Sequence, residues 1–175
     1  MIPITQKQLE ISKKLVYETD VEVCGPIYCD GTECRFSLVY FGEKIDGRQR
    51  CVQEVNDLMN YHTHPIGQKS YPSSEDIIVL LAFKKKTANP VIEIIFTAWG
   101  VWQLTAIRKK EMSKETRVSL AKEMDAKVLQ HFYNASERGR AVNIDINLIK
   151  TFISKIKSFV DTYDIDLDIE FKPWW

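Results

Sequence analysis

The chain has 175 residues, 45% of them apolar and 27% charged, with 24 basic and 24 acidic side chains that cancel. That composition is globular and excludes the disordered, collagen-like and low-complexity classes. Zero net charge argues against a general nucleic-acid or anionic-membrane binder, whose footprint is a basic excess.

At 20.3 kDa, about 70% of the chain's surface is expected to be buried on folding. One sizeable core, and so a single domain over 1–175, is the expectation. No apolar run reaches the roughly 18 residues of a membrane span. The opening stretch, MIPITQKQLEISKK, lacks a basic segment followed by an apolar one, so no secretory leader is expected. The four cysteines, Cys24, Cys29, Cys34 and Cys51, are few for a secreted disulfide scaffold and do not have C-x2-C spacing. They read as free thiols of a reduced, intracellular and cytoplasmic protein.

Residues 5–17 place Leu9, Leu15 and Val16 at helical spacing, which predicts a short amphipathic helix. Residues 20–29 alternate as a strand, with Gly25-Pro26 marking a bend or an edge. Asp30-Gly31 is a turn signal, and 34–41 is the return strand of a hairpin. The polar stretch Gly42–Arg50 reads as loop. A strand then ends in Leu58-Met59-Asn60-Tyr61-His62-Thr63-His64 and Pro65 closes it. After a loop at 66–72, a helix opens at Ser73 and runs to about Lys85. Asn89-Pro90 breaks the chain. Residues 91–98 (VIEIIFTA) are β-branched and aromatic, hence a buried strand. Trp99-Gly100 turns into another strand at 101–107. The last third changes character, with one helical stripe through Val118, Ala121, Met124, Val128 and Phe132. A second runs through Ile146, Ile149, Phe152, Ile153, Ile156, Phe159 and Val160, and Gly139 lies between the two. Residues 165–171 alternate as an edge strand. The whole is an α/β domain with a helical C-terminal third.

Two of the three histidines are His62 and His64. On a strand, residues i and i+2 share a face, so both imidazoles can converge on one ion while Thr63 points away. The same pair can equally be hydrogen-bonded at a surface or cleft. Ser73-x-x-Asp76 at a helix start reads as a capping box, and a helix start returned beside a strand end also delivers a carboxylate. His62, His64 and Asp76 would then be three protein ligands, the number typical of catalytic zinc, which keeps a fourth position for water. Such a water needs a base. Glu22, in a mostly apolar stretch, is the candidate; its other reading is a residue on the outward, polar face of its strand.

Glu22-Val23-Cys24-Gly25, His62-Thr63-His64-Pro65 and Ser73-Ser74-Glu75-Asp76, in that order, resemble the signature of the JAMM metalloproteases, the active MPN-domain family. Motif and surroundings cover about residues 5–107, with the helical extension following from about 111 to 175. Eight residues separate His64 from Ser73, where the family commonly has seven, and the extra residue falls in the Ile66–Pro72 loop. The resemblance implies a mixed β-sheet flanked by helices, similar to cytidine deaminases, and one Zn2+ per chain held by His62, His64 and Asp76. It also implies Glu22 as general acid/base and Ser73 as the oxyanion donor. The implied activity is a zinc isopeptidase acting on ubiquitin or a ubiquitin-like protein, in a family whose members often work inside complexes. Two rivals are an MPN-like scaffold that turns nothing over and a JAMM-type peptidase for small sulfur-carrier proteins or other peptides. The scaffold reading has every catalytic position filled against it. H-E-x-x-H, H-x-E with P-C-x-x-C, and the phosphate-binding glycine motifs are all missing from the sequence.

Lys84-Lys85-Lys86 reads as a solvated helix end. Trp99 and Trp102 read as core or turn packing, and His131 as structural or solvent-facing. Trp174-Trp175 is expected to fold back onto the C-terminal helices, with a docking tail for a partner as the alternative.

Overall fold

In the computed structural model, which describes residues 1–36, 40–41, 43–45, 48–50, 59–81, 90–108, 112–130, 132 and 145–174, the first helix, α1 (Gln6–Glu18), starts at a complete capping box. Thr5 Oγ1 accepts from Gln8 N–H, and the Gln8 side chain accepts from Thr5 N–H. Two amide protons that a helix start leaves unpaired are thereby satisfied. Thr19 ends the helix in an extended conformation, with its hydroxyl donating back to Leu15 O at 2.7 Å.

The chain continues through β1 (Val23–Cys29), β2 (Cys34–Phe36), β3 (Tyr40–Phe41), β4 (Glu43–Ile45), β5 (Arg48–Arg50), β6 (Met59–Thr63), α2 (Ser74–Leu81), β7 (Val91–Phe96) and β8 (Gly100–Arg108). It ends in α3 (Lys114–Met124), which runs into a π-helical turn (Asp125–Leu129), then α4 (Ile146–Asp161) and β9 (Asp166–Pro173). Strands hydrogen-bond in the order β2-β1-β6-β7-β8-β9, with β3 also on β1 and β4–β5 as a separate pair. β1 and β6 are antiparallel and β6 and β7 parallel. The expected α/β class with a mixed sheet is therefore present, and β9 occupies an edge. A parallel pair needs a crossover rather than a hairpin, and α2 lies in the connection between β6 and β7.

The bend signal Gly25-Pro26 has a local cause. On the side of β1 away from β6, Val23 and Cys24 pair with β3 and Ile27 to Cys29 pair with β2. Pro26, which has no N–H, falls between those two pairings, where it interrupts no described ladder bond. Two expectations are corrected. Gly42–Arg50 contains the antiparallel pair β4–β5, with Glu43 opposite Arg50 and Ile45 opposite Arg48. The described cysteines are not free thiols. Cys29 and Cys34 face each other across β1 and β2 and form a disulfide, Cys24 is disulfide-bonded as well, and no described cysteine is free. Cys51, Leu58, Lys84-Lys85-Lys86, His131, Gly139 and Trp175 lie outside the described residues.

The chain divides into two compact units. The first comprises Met1–Tyr71, Ile92–Gln103 and Lys172–Trp175. Its core is Val16, Val23, Ile27, Cys34, Tyr61, Ile94, Phe96 and Val101, with Leu9 and Leu15 of α1 packed against it. Tyr61 stacks on Phe36 at 4.7 Å, and its burial raises the pKa of its hydroxyl. Trp102 is fully buried, as expected of core packing. Trp174 folds back, though not onto the C-terminal helices: its ring stacks near Phe96, its indole N–H donates to Thr97 O at 2.8 Å, and Lys13 lies over its face.

The second unit comprises Pro72–Val91 and Leu104–Phe171. Asp145 caps α4 by accepting from Asn147 and Leu148 N–H, and Ile149, Phe152, Ile156, Phe159 and Val160 are buried along that helix. Phe152 meets Phe132 edge-to-face at 5.0 Å. The stripe expected on the preceding helix holds at Met124, Val128 and Phe132 and fails at Val118. Leu120, Met124, Val128 and Phe132 are buried, whereas Val118 is exposed. Four-residue steps overshoot a 3.6-residue turn by about 40° each, and the wider π turn at Asp125–Leu129 takes up part of that drift. Among the described residues no helix is long and apolar enough to cross a membrane.

Candidate metal centre

The period of β6 sorts its side chains onto two faces. Met59, Tyr61 and Thr63 alternate with Asn60, His62 and His64. Tyr61 and Met59 join the apolar core with Val16 of α1, and Thr63 Oγ1 accepts the N–H of Val23 at 2.9 Å. The opposite face therefore receives Asn60, His62 and His64, all buried. In the β1–β6 register Cys24 stands opposite His62, so it shares that face. In the β6–β7 register Asn60 stands opposite Glu93, which brings a carboxylate to the same side, diagonal to His62.

Both histidines have their tautomers set by what lies behind them. His62 Nδ1 is 2.7 Å from Glu93 Oε1, and His64 Nδ1 is 2.9 Å from the carbonyl oxygen of Lys69. A carboxylate and a carbonyl only accept, so each Nδ1 carries the proton and donates. The two Nε2 atoms are left facing each other 3.1 Å apart. Two imidazole lone pairs at that distance repel unless one positive centre sits between or beside them. A shared proton would serve, and so would a divalent cation. Two nitrogens at about 2.0–2.1 Å from a tetrahedral zinc are roughly 3.3 Å apart, close to the separation found.

The carbonyl behind His64 is held by a short, well-tied loop. Gln68 N–H donates to Pro65 O, Ile66 N–H donates to Val16 O, and the Trp102 indole donates to Ser70 O. Gly67 has φ +96° with nothing within 4 Å of where a Cβ would be. The third position of this turn thus requires glycine for its backbone conformation rather than for space.

At the start of α2 the capping box is formed. Ser73 Oγ accepts from Asp76 N–H at 3.1 Å, and Asp76 Oδ2 accepts from Ser73 N–H at 2.6 Å. A carboxylate has lone pairs for a cap and for a metal at once. Within the uninterrupted stretch from β6 to α2, ligand atoms of His62, His64 and Asp76 all lie within 4.8 Å of one another, a group able to hold a metal ion. Ser73 and Asp76 are half-buried, as is Glu22. Glu22 lies one residue ahead of β1, outside the Cys24–Pro26 stretch that pairs with β6, and is not part of the group formed by His62, His64 and Asp76.

Of the residues read from the sequence, His62, His64 and Asp76 come together, and Ser73 is bonded to Asp76. Glu93 was not among them. Its signal was available: a carboxylate in the apolar run Val91-Ile92-Glu93-Ile94-Ile95-Phe96, where a charge needs a partner. Compared with known proteins, the chain matches no protein-family model and no curated protein. The donor set itself fits a first-row divalent ion. Two Nε2 atoms converge, both opposite nitrogens are anchored by acceptors, and a carboxylate is near.

Proposed function

We propose that the chain is a zinc-dependent hydrolase of the JAMM type, an isopeptidase that cuts the bond between ubiquitin or a ubiquitin-like protein and a lysine side chain. The observation that carries this reading is the His62–His64 Nε2 pair at 3.1 Å. Its weight comes from the chain order in which that pair sits, with Glu22 before it and Ser73-x-x-Asp76 after it. His62, His64 and Asp76 hold one ion, and Zn2+ suits this set although Fe2+, Co2+ and Mn2+ share its ligand preferences. When bound, zinc supplies a Lewis acid for the scissile carbonyl and an acidified water.

The remaining roles fall to side chains. Glu22 takes the proton from the attacking water and returns it to the departing lysine amine, as general base and then general acid. Ser73 directs its hydroxyl proton at the oxyanion, because its oxygen is already held by the N–H of Asp76. An activating protein partner belongs to this reading, since the loops around the site are short.

The test is cleavage of a panel of diubiquitins and of a ubiquitin-like fusion by zinc-loaded protein, beside a chelator-treated sample and Glu22→Gln. Cleavage that needs both the metal and Glu22, with turnover falling about 10²–10⁴-fold in the variant and zinc retained, is the expected outcome. Activity that survives the chelator would sink the proposal.

One observation favours a second reading, the same hydrolysis on a peptide that is not ubiquitin. Ubiquitin-like substrates place the enzyme inside the cell, whereas disulfides persist mainly in oxidising compartments, and no described cysteine is free. Thiol titration of freshly isolated, denatured protein decides between them. Free thiols at Cys29 and Cys34 support the intracellular reading; their absence supports the second.

A further inference from the structure

We infer that Glu93 is a positioning residue of this metal centre: it receives the Nδ1–H of His62 and thereby aims His62 Nε2 at the ion. The inference rests on the metal reading above and adds a residue that no motif assigns. Four observations meet at Glu93. Its Oε1 is 2.7 Å from His62 Nδ1, the length of a charge-assisted bond. Both side chains are buried, with relative exposures of 9% and 10%. Glu93 stands in a strand that is otherwise apolar, where an ionised carboxylate is costly unless it is bonded. And the parallel register, Asn60 opposite Glu93, sets it one step diagonal to His62 on the same face.

Glu93 does not act as a ligand. The two nitrogens of an imidazole point away from each other, so a carboxylate bonded at Nδ1 is turned from an ion at Nε2; the group able to hold the ion is His62, His64 and Asp76. The two histidines are therefore supported unequally. His64 leans on a neutral carbonyl dipole at Lys69, while His62 leans on a full negative charge. A carboxylate behind a ligating histidine fixes its tautomer and strengthens it as a donor.

The test is a competition titration of Zn2+ against a chromophoric chelator for wild type, Glu93→Ala and Glu93→Gln. Nitrogen-resolved imidazole spectra of the zinc-loaded proteins accompany it. Glu93→Ala should weaken zinc binding about 10–100-fold. Glu93→Gln should fall between, because an amide oxygen still accepts the Nδ1–H but brings no charge; being nearly isosteric, it also carries the test if the alanine variant does not fold. The wild-type spectrum should show His62 protonated at Nδ1 and metallated at Nε2. A merely structural role would lower the melting temperature and leave affinity and tautomer unchanged, and that result overturns the inference. Zinc found on His62 Nδ1 overturns it as well. A wild-type chain that binds no divalent ion overturns the metal reading itself, whereas equal affinity in wild type and Glu93→Ala overturns this inference alone.

Discussion

The strands β6 and β7 and the helices α3 and α4 bury their residues in opposite styles. Along β6 and β7 the buried set includes Asn60, His62, Thr63, His64 and Glu93; along α3 and α4 every buried residue is apolar, from Leu120 and Met124 to Phe152 and Ile156. Burying an apolar side chain is favourable by about 1.5–3 kcal/mol with no further condition. Burying a polar one costs free energy unless each donor and acceptor is met. The helices are thus explained by packing alone. The strands carry a polar network whose acceptors are in place on one side, Glu93 and the Lys69 carbonyl, and whose two Nε2 atoms meet on the other. A polar network with a group able to hold a metal ion is what separates the two regions.

The contrast can be broken with three substitutions. The largest effect is expected from Phe152→Ala, which removes a ring buried against Phe132. Chemical denaturation should show a loss of about 3–5 kcal/mol, while the zinc affinity of the folded protein stays at the wild-type value. An equal fall in both would erase the distinction. Gly67→Ala forces a Cβ onto a φ of +96° and should cost about 1–2 kcal/mol. The turn bearing Gly67 leads to the Lys69 carbonyl, so this small loss of stability should come with weaker zinc binding, a pairing that a remote surface change would not produce.

The smallest effect concerns Lys157 and Asp168. Hydrogen bonding to the Lys157 ammonium, with its charge adding to the effect, holds the Asp168 carboxyl below the ordinary aspartate value. A depressed folded value means the stabilisation is fully present above the unfolded pKa, near 4, and is lost as pH falls through the folded one. Both groups are more than a third exposed, so solvent screening keeps the contribution below about 1 kcal/mol. Lys157→Ala should flatten the acid limb of a stability–pH curve by that amount and leave neutral pH onward parallel to wild type.

What could be read from the sequence follows the range of the interaction. His62 and His64 share a face because a strand has period two, and Ser73 and Asp76 bond because a helix start has a three-residue reach; both facts are local. The Cys29–Cys34 disulfide was one step further. The Asp30-Gly31 turn and its flanking strands were legible, but the pairing of the two cysteines depends on the hairpin register. Gly42–Arg50 hid an antiparallel strand pair because its polar side chains mask the alternation that marks a buried strand. Val118 is exposed and Leu120 is buried in its place, because the π turn at Asp125–Leu129 changes the phase of the stripe that continues through Met124, Val128 and Phe132. Glu93 reaches His62 only through a parallel register between strands joined by a crossover, which no local period encodes. The cost of its charge in an apolar run was the sole trace of it.

The central claim is that the His62–His64 pair is closed by a metal ion rather than by a shared proton. The direct measurement is the zinc content and binding isotherm of the purified chain beside His64→Ala. One ion per wild-type chain, and none retained by His64→Ala after exhaustive dialysis, is the predicted result. A wild-type chain that takes up no divalent ion, with its two imidazoles joined by a single proton, would contradict the account.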